Sequence, residues 1–418
     1  MKKISILLFS ALLWSCVGNE KDIFSASPAD RLNNALKDDY NVLTSSANGW
    51  VMEYFANPLS PGYNLLVKFE QSGKATFASK SELTANHEYE VDSCLFEMIG
   101  DNGPVLTFNT YNKVLHRFSN PENPDGYGLQ GDYEFVVLSA EAEKVVLKGK
   151  KYGSVIVLTK FPENTTWRQF ADEVAAMDSL LFSESAPKLK MTISNSGYTF
   201  SNGFNHVFSV IKNGSSAATA IDAPFIVTRT GIRFQKLVEV GGLKFQSFNL
   251  NDDKTALVSV ENPDSRLVGA DDLGLYFVNT TRTWELIPTE LSDNLKALYG
   301  QIVQSCTEKY NAGNVKLALR YYLARKSYVL TLSFDTGLMP NAGNLDFIIS
   351  NNANNSLVLV DKATGDTQGA TYRAEVAGLG EMCTMLSNAF TLSTASTLNP
   401  KKIRFTQNTG TGTWFVVK

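Results

Sequence analysis

Tyr63, Leu65, Val67 and Phe69 alternate with Asn64, Lys68 and Glu70, and runs of this two-residue period constrain the chain more than any other feature. Successive side chains of a strand point to opposite faces, so such a run buries one face and wets the other, as antiparallel sheets do. Only Leu66 breaks the alternation. Between Trp50 and Lys160 the same logic, with turn residues as boundaries, picks out Val51–Phe55, Tyr63–Phe69, Glu88–Met98, Val105–Tyr111, Tyr133–Leu138, Lys144–Lys148 and Ser154–Leu158 as strands. Meanders of this kind close into barrels or fold into sandwiches, which removes their exposed edges.

The pattern returns later in the chain. Tyr328, Leu330, Leu332 and Phe334 match Tyr63, Leu65, Val67 and Phe69 position for position, and the offset of 265 residues is two periods of about 130. Arg320-Tyr321-Tyr322-Leu323-Ala324 echoes Glu53-Tyr54-Phe55-Ala56, and Asp335-Thr336-Gly337 turns where Glu70-Gln71-Ser72-Gly73 does. The segment Phe135 to Lys148 resembles Phe390 to Phe405, and Gly153 to Lys160 resembles Thr411 to Lys418. The middle of the chain is more diverged, with Phe245–Val258 keeping the layout of strand, Asn-Asp turn and strand. A period this long exceeds that of a solenoid repeat, so each unit is expected to be a small domain or a pair of fused sheets.

Three segments carry helical periodicity. Ser27 can cap a helix with Pro28 at its first position and Asp30 near the positive end of its dipole. The apolar face is then Leu32, Ala35, Leu36, Tyr40 and Leu43. Thr166 and Gln169 form a capping-box pattern ahead of Phe170, Val174, Met177 and Leu181. Ser292 or Thr289 opens the third, with Leu295, Leu298, Tyr299, Ile302, Val303, Cys306 and Tyr310 on one face. Amphipathic helices must lie on something, and a barrel mouth or a sheet would cover these stripes. The expected class is therefore mainly β with three amphipathic helices (α+β), built as antiparallel meander barrels or sandwiches. A helix-plus-sheet unit is used over 27–162, 163–288 and 289–418.

Ahead of the first unit, residues 1–15 read as a signal peptide. Lys2 and Lys3 supply positive charge, and Ile4 to Trp14 form an apolar run far shorter than the roughly 20 residues of a membrane-spanning helix. Leu13-Trp14-Ser15-Cys16 resembles a lipobox, with Trp14 bulky for its position. That resemblance implies acylation of Cys16, and two or three acyl chains at about 0.8 kcal/mol per buried CH₂ make a stable anchor. Residues 16–26 become a lipidated tether, in which Glu20, Lys21 and Asp22 resemble the export tag of Bacteroidetes lipoproteins that face the cell exterior.

Without Lys2 and Lys3, 36 basic residues stand against 42 acidic ones, with no basic stripe, which argues against nucleic acid as a partner. Cys94, Cys306 and Cys383 are an odd set, so at most one disulfide forms; three buried thiols are the alternative.

The candidate chemical motifs fail on context. Gly126-Tyr127-Gly128-Leu129-Gln130-Gly131 fits G-x-G-x-x-G but is followed by a strand, Asp132–Leu138, where a dinucleotide site needs a helix. The histidines are His87, His116 and His206; His206 shares a strand face with Phe208 and Val210, His116 lies between Val114 and Phe118, and neither is expected to bind metal. Asp132 and Glu134 at i, i+2 would stand about 6.5–7 Å apart on one strand face, near the spacing of an inverting glycosidase. Glu88, Glu90 and Asp92 form a similar acidic row. Both rows read better as solvated outer faces, the first opposite Tyr133, Phe135 and Val137, and neither has aromatic residues on its own face to hold a sugar. The loop Asn120–Asp125 is rich in oxygen ligands without the spacing of a calcium loop. Trp50, Trp167, Trp284 and Trp414 begin or end elements and read as core or seam residues. Asp178-Ser179-Leu180 resembles a short Bacteroidetes O-glycosylation signal.

Laid out in this way, the chain resembles an uncharacterised Bacteroidetes lipoprotein family, domain of unknown function 4302, over nearly its whole mature length. The resemblance rests on Gly49-Trp50 with Tyr54-Phe55, on Leu106-Thr107-Phe108-Asn109-Thr110-Tyr111-Asn112 running to His116, and on Gly126 to Phe135. Leu147-Lys148-Gly149-Lys150 and Thr230-Gly231-Ile232-Arg233-Phe234 continue it. It implies a surface lipoprotein of the outer membrane, found beside importers and glycan-capturing lipoproteins, and carries over no catalytic or binding residue.

The expected function is non-enzymatic capture of a glycan or peptide for an outer-membrane importer, with no cofactor and no metal. The alternatives are an adhesive, fimbria-like subunit donating Thr413–Val417, and a glycoside hydrolase using Asp132 and Glu134. Analogy to lipocalin-like barrels adds a small apolar ligand.

Overall fold

Strands that alternate buried and exposed residues over most of a chain leave it with open sheet edges, and this chain removes them by closing three barrels of eight antiparallel strands each. The computed structural model describes residues 26–121, 126, 128–280, 282–337, 339–410 and 412–418. Cys16, residues 1–15 expected to form a signal peptide and the expected tether up to Ser25 lie outside the described residues, as do 122–125 of the loop Asn120–Asp125 and Tyr127.

The first barrel runs β1 (Trp50–Phe55), β2 (Gly62–Phe69), β3 (Lys74–Ser79), β4 (Glu90–Asp101), β5 (Gly103–Phe108), β6 (Glu134–Glu141), β7 (Lys144–Gly149) and β8 (Val155–Lys160). β8 pairs back onto β1, with Trp50 opposite Lys160. The second comprises β9 (Leu189–Ile193), β10 (Ser196–Ser201), β11 (Val207–Lys212), β12 (Ile221–Val227), β13 (Gly231–Val240), β14 (Leu243–Leu250), β15 (Ala256–Ser259) and β16 (Arg266–Val268), closed between β16 and β9. The third comprises β17 (Trp284–Leu291), β18 (Gly313–Tyr322), β19 (Ser327–Asp335), β20 (Pro340–Asn351), β21 (Ser356–Gly365), β22 (Ala389–Ser393), β23 (Ile403–Gln407) and β24 (Trp414–Val417). β24 is bonded on one side to β17 and on the other to β23.

The barrels are solid. Phe69, Phe77, Phe96, Phe108 and Phe135 interlock inside the first, with Phe69 and Phe96 centroids 4.9 Å apart. Phe208 and Phe225 stack at 4.6 Å in the second, and Phe405 and Phe415 at 4.6 Å in the third. These rings take the volume in which a lipocalin-like barrel would hold an apolar ligand, so that analogy fails on packing.

Six α-helices occur among the described residues: α1 (Pro28–Ser45), α2 (Trp167–Leu181), α3 (Leu273–Asn279), α4 (Asp293–Tyr310), α5 (Thr367–Glu375) and α6 (Leu379–Leu386). α1, α2 and α4 are the three helices expected from periodicity. The Ser27 hydroxyl accepts from the Asp30 amide at 3.1 Å, and the Thr166 hydroxyl from the Gln169 amide at 3.2 Å. The Gln169 side chain donates through Nε2 to Glu173 at 2.9 Å, one turn further along the helix. Ser292, not Thr289, stands before α4; Thr289 belongs to β17. α3, α5 and α6 have nine residues or fewer, too few turns for a periodic signature. α1 covers a mouth of the first barrel, where Tyr40 stacks on Phe96 at 5.4 Å. Its stripe is only half-buried except for Leu43, which is fully enclosed.

Neighbouring barrels dock tightly. Ile226 of β12 is fully buried in the core of the first barrel, Asn64 donates to the Val227 carbonyl at 2.7 Å, and Arg233 pairs with Glu53. From the third barrel, Leu398 enters the core of the second, and the Ala270 amide donates to the Thr397 carbonyl at 2.8 Å. Cys94, Cys306 and Cys383 are buried free thiols; burial pushes the first two up to about 11 and the third to about 12, so they stay protonated.

Candidate functional site

The segment between β5 and β6 does two jobs at one end of the first barrel. Its inner part is a plug. Val114, Leu115 and Phe118 are buried, and Phe118 packs on Tyr54 at 4.6 Å and on Tyr63 at 4.9 Å. Asn112 fixes the turn, its side-chain oxygen accepting from the Val114 and Leu115 amides at 2.9 and 3.0 Å. Its outer part is aromatic. His116 lies between Tyr111 and Tyr133, with ring centroids at 5.3 and 5.0 Å. Tyr111 is 61% exposed and Tyr133 43%. His116 is oriented through Nδ1, which accepts from the Asn112 amide at 3.1 Å; burial holds its pKa below the ordinary imidazole value. Asn120 donates to the Tyr111 hydroxyl at 3.1 Å.

Beside this stack lies a cleft of about 430 Å³, with Tyr133 and Tyr152 on its walls and Ser119, Gln130, Glu134 and Lys150 as its polar groups. Its base is Asp132, which is buried and whose two oxygens accept from the Lys151 and Tyr152 amides at 2.9 Å each. Its backbone carbonyl accepts from the Tyr54 hydroxyl at 2.9 Å. The approach is so close that a Cβ on Gly149 would lie 2.2 Å from the Asp132 carboxylate, and one on Gly131 would lie 2.4 Å from the Tyr54 hydroxyl. Only glycine fits at either position.

This geometry corrects the reading of Asp132 and Glu134 as neighbours on one strand face. β6 begins at Glu134, and Asp132 precedes it as a buried staple for the turn after β7. Glu134 accepts from Thr107 at 3.3 Å and lies 3.6 Å from Lys150, which also reaches Asp101 at 3.2 Å. Tyr133, expected inside with Phe135 and Val137, faces outward, and with Tyr152 it supplies the aromatic flank that the sequence had not indicated. The acidic row at Glu90 and Asp92 is corrected as well. Those residues share the inward face of β4 with Cys94 and Phe96, and they hold the plug: Glu90 pairs with Arg117 at 2.6 Å, and Asp92 accepts from the Lys113 amide at 2.8 Å. Glu88 lies before the strand and is exposed.

Other candidates fall elsewhere. His206 precedes β11 in left-handed backbone, φ 54°, with Nε2 2.8 Å from Asp178. His87 is exposed. Ser179 of the Asp178-Ser179-Leu180 motif accepts from Lys401 at 2.6 Å. Trp50 and Trp284 are core, Trp167 donates across the first seam to the Asn48 carbonyl at 2.8 Å, and Arg404 stacks on Trp414 at 3.7 Å. Among the described residues no three of His, Cys, Asp and Glu converge as metal ligands. No helix among them is long and apolar enough to cross a membrane. The Tyr111–His116–Tyr133 stack escaped sequence reading because its members lie five and seventeen positions apart and meet only when the plug folds back.

No curated protein matches the chain. Among solved structures it is similar to the DNA polymerase sliding clamp from Pseudomonas aeruginosa, with 10% identity over 92% of this chain and 96% of that one and a TM-score of 0.14. The beta sliding clamp of C. crescentus gives 10%, 92%, 96% and 0.14, and the DNA polymerase III beta chain from Streptococcus pneumoniae 9%, 93%, 96% and 0.12. At such scores neither fold nor function carries over. The model of the domain of unknown function DUF4302 matches residues 20–252, more than half of the chain, and ends within the second barrel rather than running through the third. The chain belongs to the DUF4302 family.

Proposed function

We propose that this chain is a non-enzymatic capture protein that binds glycan at the tyrosine-lined end of its first barrel. The observation that carries the reading is the exposed Tyr111–His116–Tyr133 stack bordering a cleft with Glu134, Lys150 and Gln130 on its walls. A sugar ring offers an apolar C–H face and a rim of hydroxyls. Aromatic faces hold the first, and charged or amide groups hydrogen-bond the second. Both Asp132 oxygens are taken by backbone amides, which leaves no free base paired with Glu134 and weighs against hydrolysis. β24 is bonded on both sides, so donating it to another chain would require opening a closed barrel. Within this proposal Cys16 carries the lipid anchor, the protein faces outward from the outer membrane, and it hands its ligand to an importer.

The test is a soluble form of residues 17–418 screened against host and dietary glycans and mucin-derived peptides. Saturable glycan binding is expected. A folded protein that binds no glycan overturns the reading and turns attention to assembly partners.

A further inference from the structure

A second cleft, of about 500 Å³, lies in the seam between the first and second barrels. Its floor is apolar, formed by Val174, Phe182 and Val227. At its edge stands Phe204, 50% exposed, carried on a tight turn between left-handed Asn202 and His206. Tyr63 lies in the wall, and burial together with the neighbouring Glu82 carboxylate pushes its hydroxyl upward, so the phenol stays protonated.

The charges of this cleft do not balance. Lys80 is tied to Asp172 at 2.6 Å, and Asp178 to His206 at 2.8 Å. Glu82, at the rim, has no lysine or arginine partner among the described residues. A carboxylate bonded by the Tyr63 hydroxyl but by no lysine or arginine among the described residues, beside two aromatic rings and above an apolar floor, has a definite complement. The carboxylate and the ring faces attract a cation, and the floor accepts an alkyl or aryl stem. An anion would meet Glu82, and a sugar would leave the floor without apolar contact.

We propose that the seam cleft binds a primary ammonium group carried on an apolar stem, such as a lysine side chain of a peptide or a free aralkylamine. The proposal is independent of the glycan reading: Tyr63 also packs against Phe118 of the plug, but Glu82, Phe204 and the apolar floor lie apart from the Tyr111–His116–Tyr133 stack and its cleft.

The experiment titrates residues 17–418 with 4-phenylbutylamine, with the uncharged isostere 4-phenylbutanol, and with the peptide acetyl-Phe-Lys-amide. The amine or the peptide binds saturably and the alcohol at least about tenfold more weakly, the contrast a single partly exposed charge pair supplies. Glu82→Gln lowers the affinity for the cation about tenfold and leaves the melting temperature unchanged, since Glu82 is exposed. Phe204→Ala lowers it about threefold, as expected for one lost cation–π contact. Tyr133→Ala leaves it unchanged, which separates this site from the first. Tighter binding of the peptide identifies peptides as the source of the ammonium, and tighter binding of the amine identifies free amines. Equal binding of amine and alcohol, an unaffected Glu82→Gln protein, or no saturable binding of either cation overturns the proposal.

Discussion

The first and third barrels share sequence but not one plan. The matched segments place β1 and β2 against β18 and β19, and β6, β7 and β8 against β22, β23 and β24. In the first barrel β8 closes directly onto β1; in the third, β17 is inserted between β24 and β18. On the far side the first barrel has β5 between β4 and β6, whereas β21 pairs directly with β22. One strand is gained at the seam and one lost opposite it, so both barrels keep eight. Strand number is set by the interior that aromatic side chains can fill, not by the linear repeat. Where the first barrel carries β5 and its plug, the third carries α5 and α6, with Leu379, Met382, Cys383 and Leu386 fully buried. A helix covers a barrel with one apolar face. An irregular loop can bury Phe118 and still turn Tyr111 and Tyr133 outward, and that difference places the candidate site on the first barrel.

The comparison breaks first at the plug. Phe118→Ala is expected to cost about 3–5 kcal/mol, in the same range as Leu386→Ala at about 2–5 kcal/mol in the third barrel. Chemical denaturation followed separately in each barrel by hydrogen exchange measures both; a cost under about 1 kcal/mol for Phe118→Ala would show that the loop is not core. Next comes the staple. Asp132→Asn replaces one of two acceptors by a donor facing an amide and should cost about 2–3 kcal/mol, whereas Glu134→Gln at the half-exposed wall stays within about 0.5 kcal/mol. Equal costs would mean that the two carboxylates do the same work. Tyr133→Ala and Tyr111→Ala should leave stability within about 0.5 kcal/mol yet weaken glycan binding roughly three- to tenfold each, about the worth of one aromatic contact.

The smallest effect concerns pH and sets the first barrel against the second. His116 is held below the usual 6.5 by burial, so its contribution to stability is present above pH 6.5 and is lost as pH falls through its folded value. Burial also opposes charge on His206, but the hydrogen bond and charge of Asp178, with Glu82 behind, raise its pKa. Its contribution is complete below pH 6.5 and is lost as pH rises through the folded value. His116→Gln should flatten the acid limb of the stability profile and His206→Gln the alkaline limb, read as denaturation midpoints from pH 5 to 8. The reverse assignment would contradict the packing described for each ring.

Period-two alternation made the β class and the repeated unit readable, because half-buried strands record burial residue by residue. Ser27 and Thr166 made two helix starts readable through their hydroxyls. What alternation could not carry is a residue just outside a strand. Asp132 and Tyr133 precede β6, which begins at Glu134, and before it the backbone no longer obeys the pleat on which the face assignment of Asp132 with Glu134 rests. The inward turn of Glu90 and Asp92 is hidden for a related reason: at a barrel end the inner face meets the Arg117 guanidinium and the Lys113 amide of the plug rather than an apolar core. α5 and α6 left too few turns to register, and the gain of β17 with the loss of β5 is a matter of ring closure that no linear match encodes.

The central claim is that the aromatic end of the first barrel holds the glycan. Isothermal titration of the strongest glycan from the screen into the wild-type protein and into the Tyr111→Ala, Tyr133→Ala double variant tests it most directly. The account predicts saturable binding by the wild type and a loss of at least about tenfold in the variant, with an unchanged melting temperature. Binding that survives both substitutions in a folded protein would place the glycan elsewhere and contradict it.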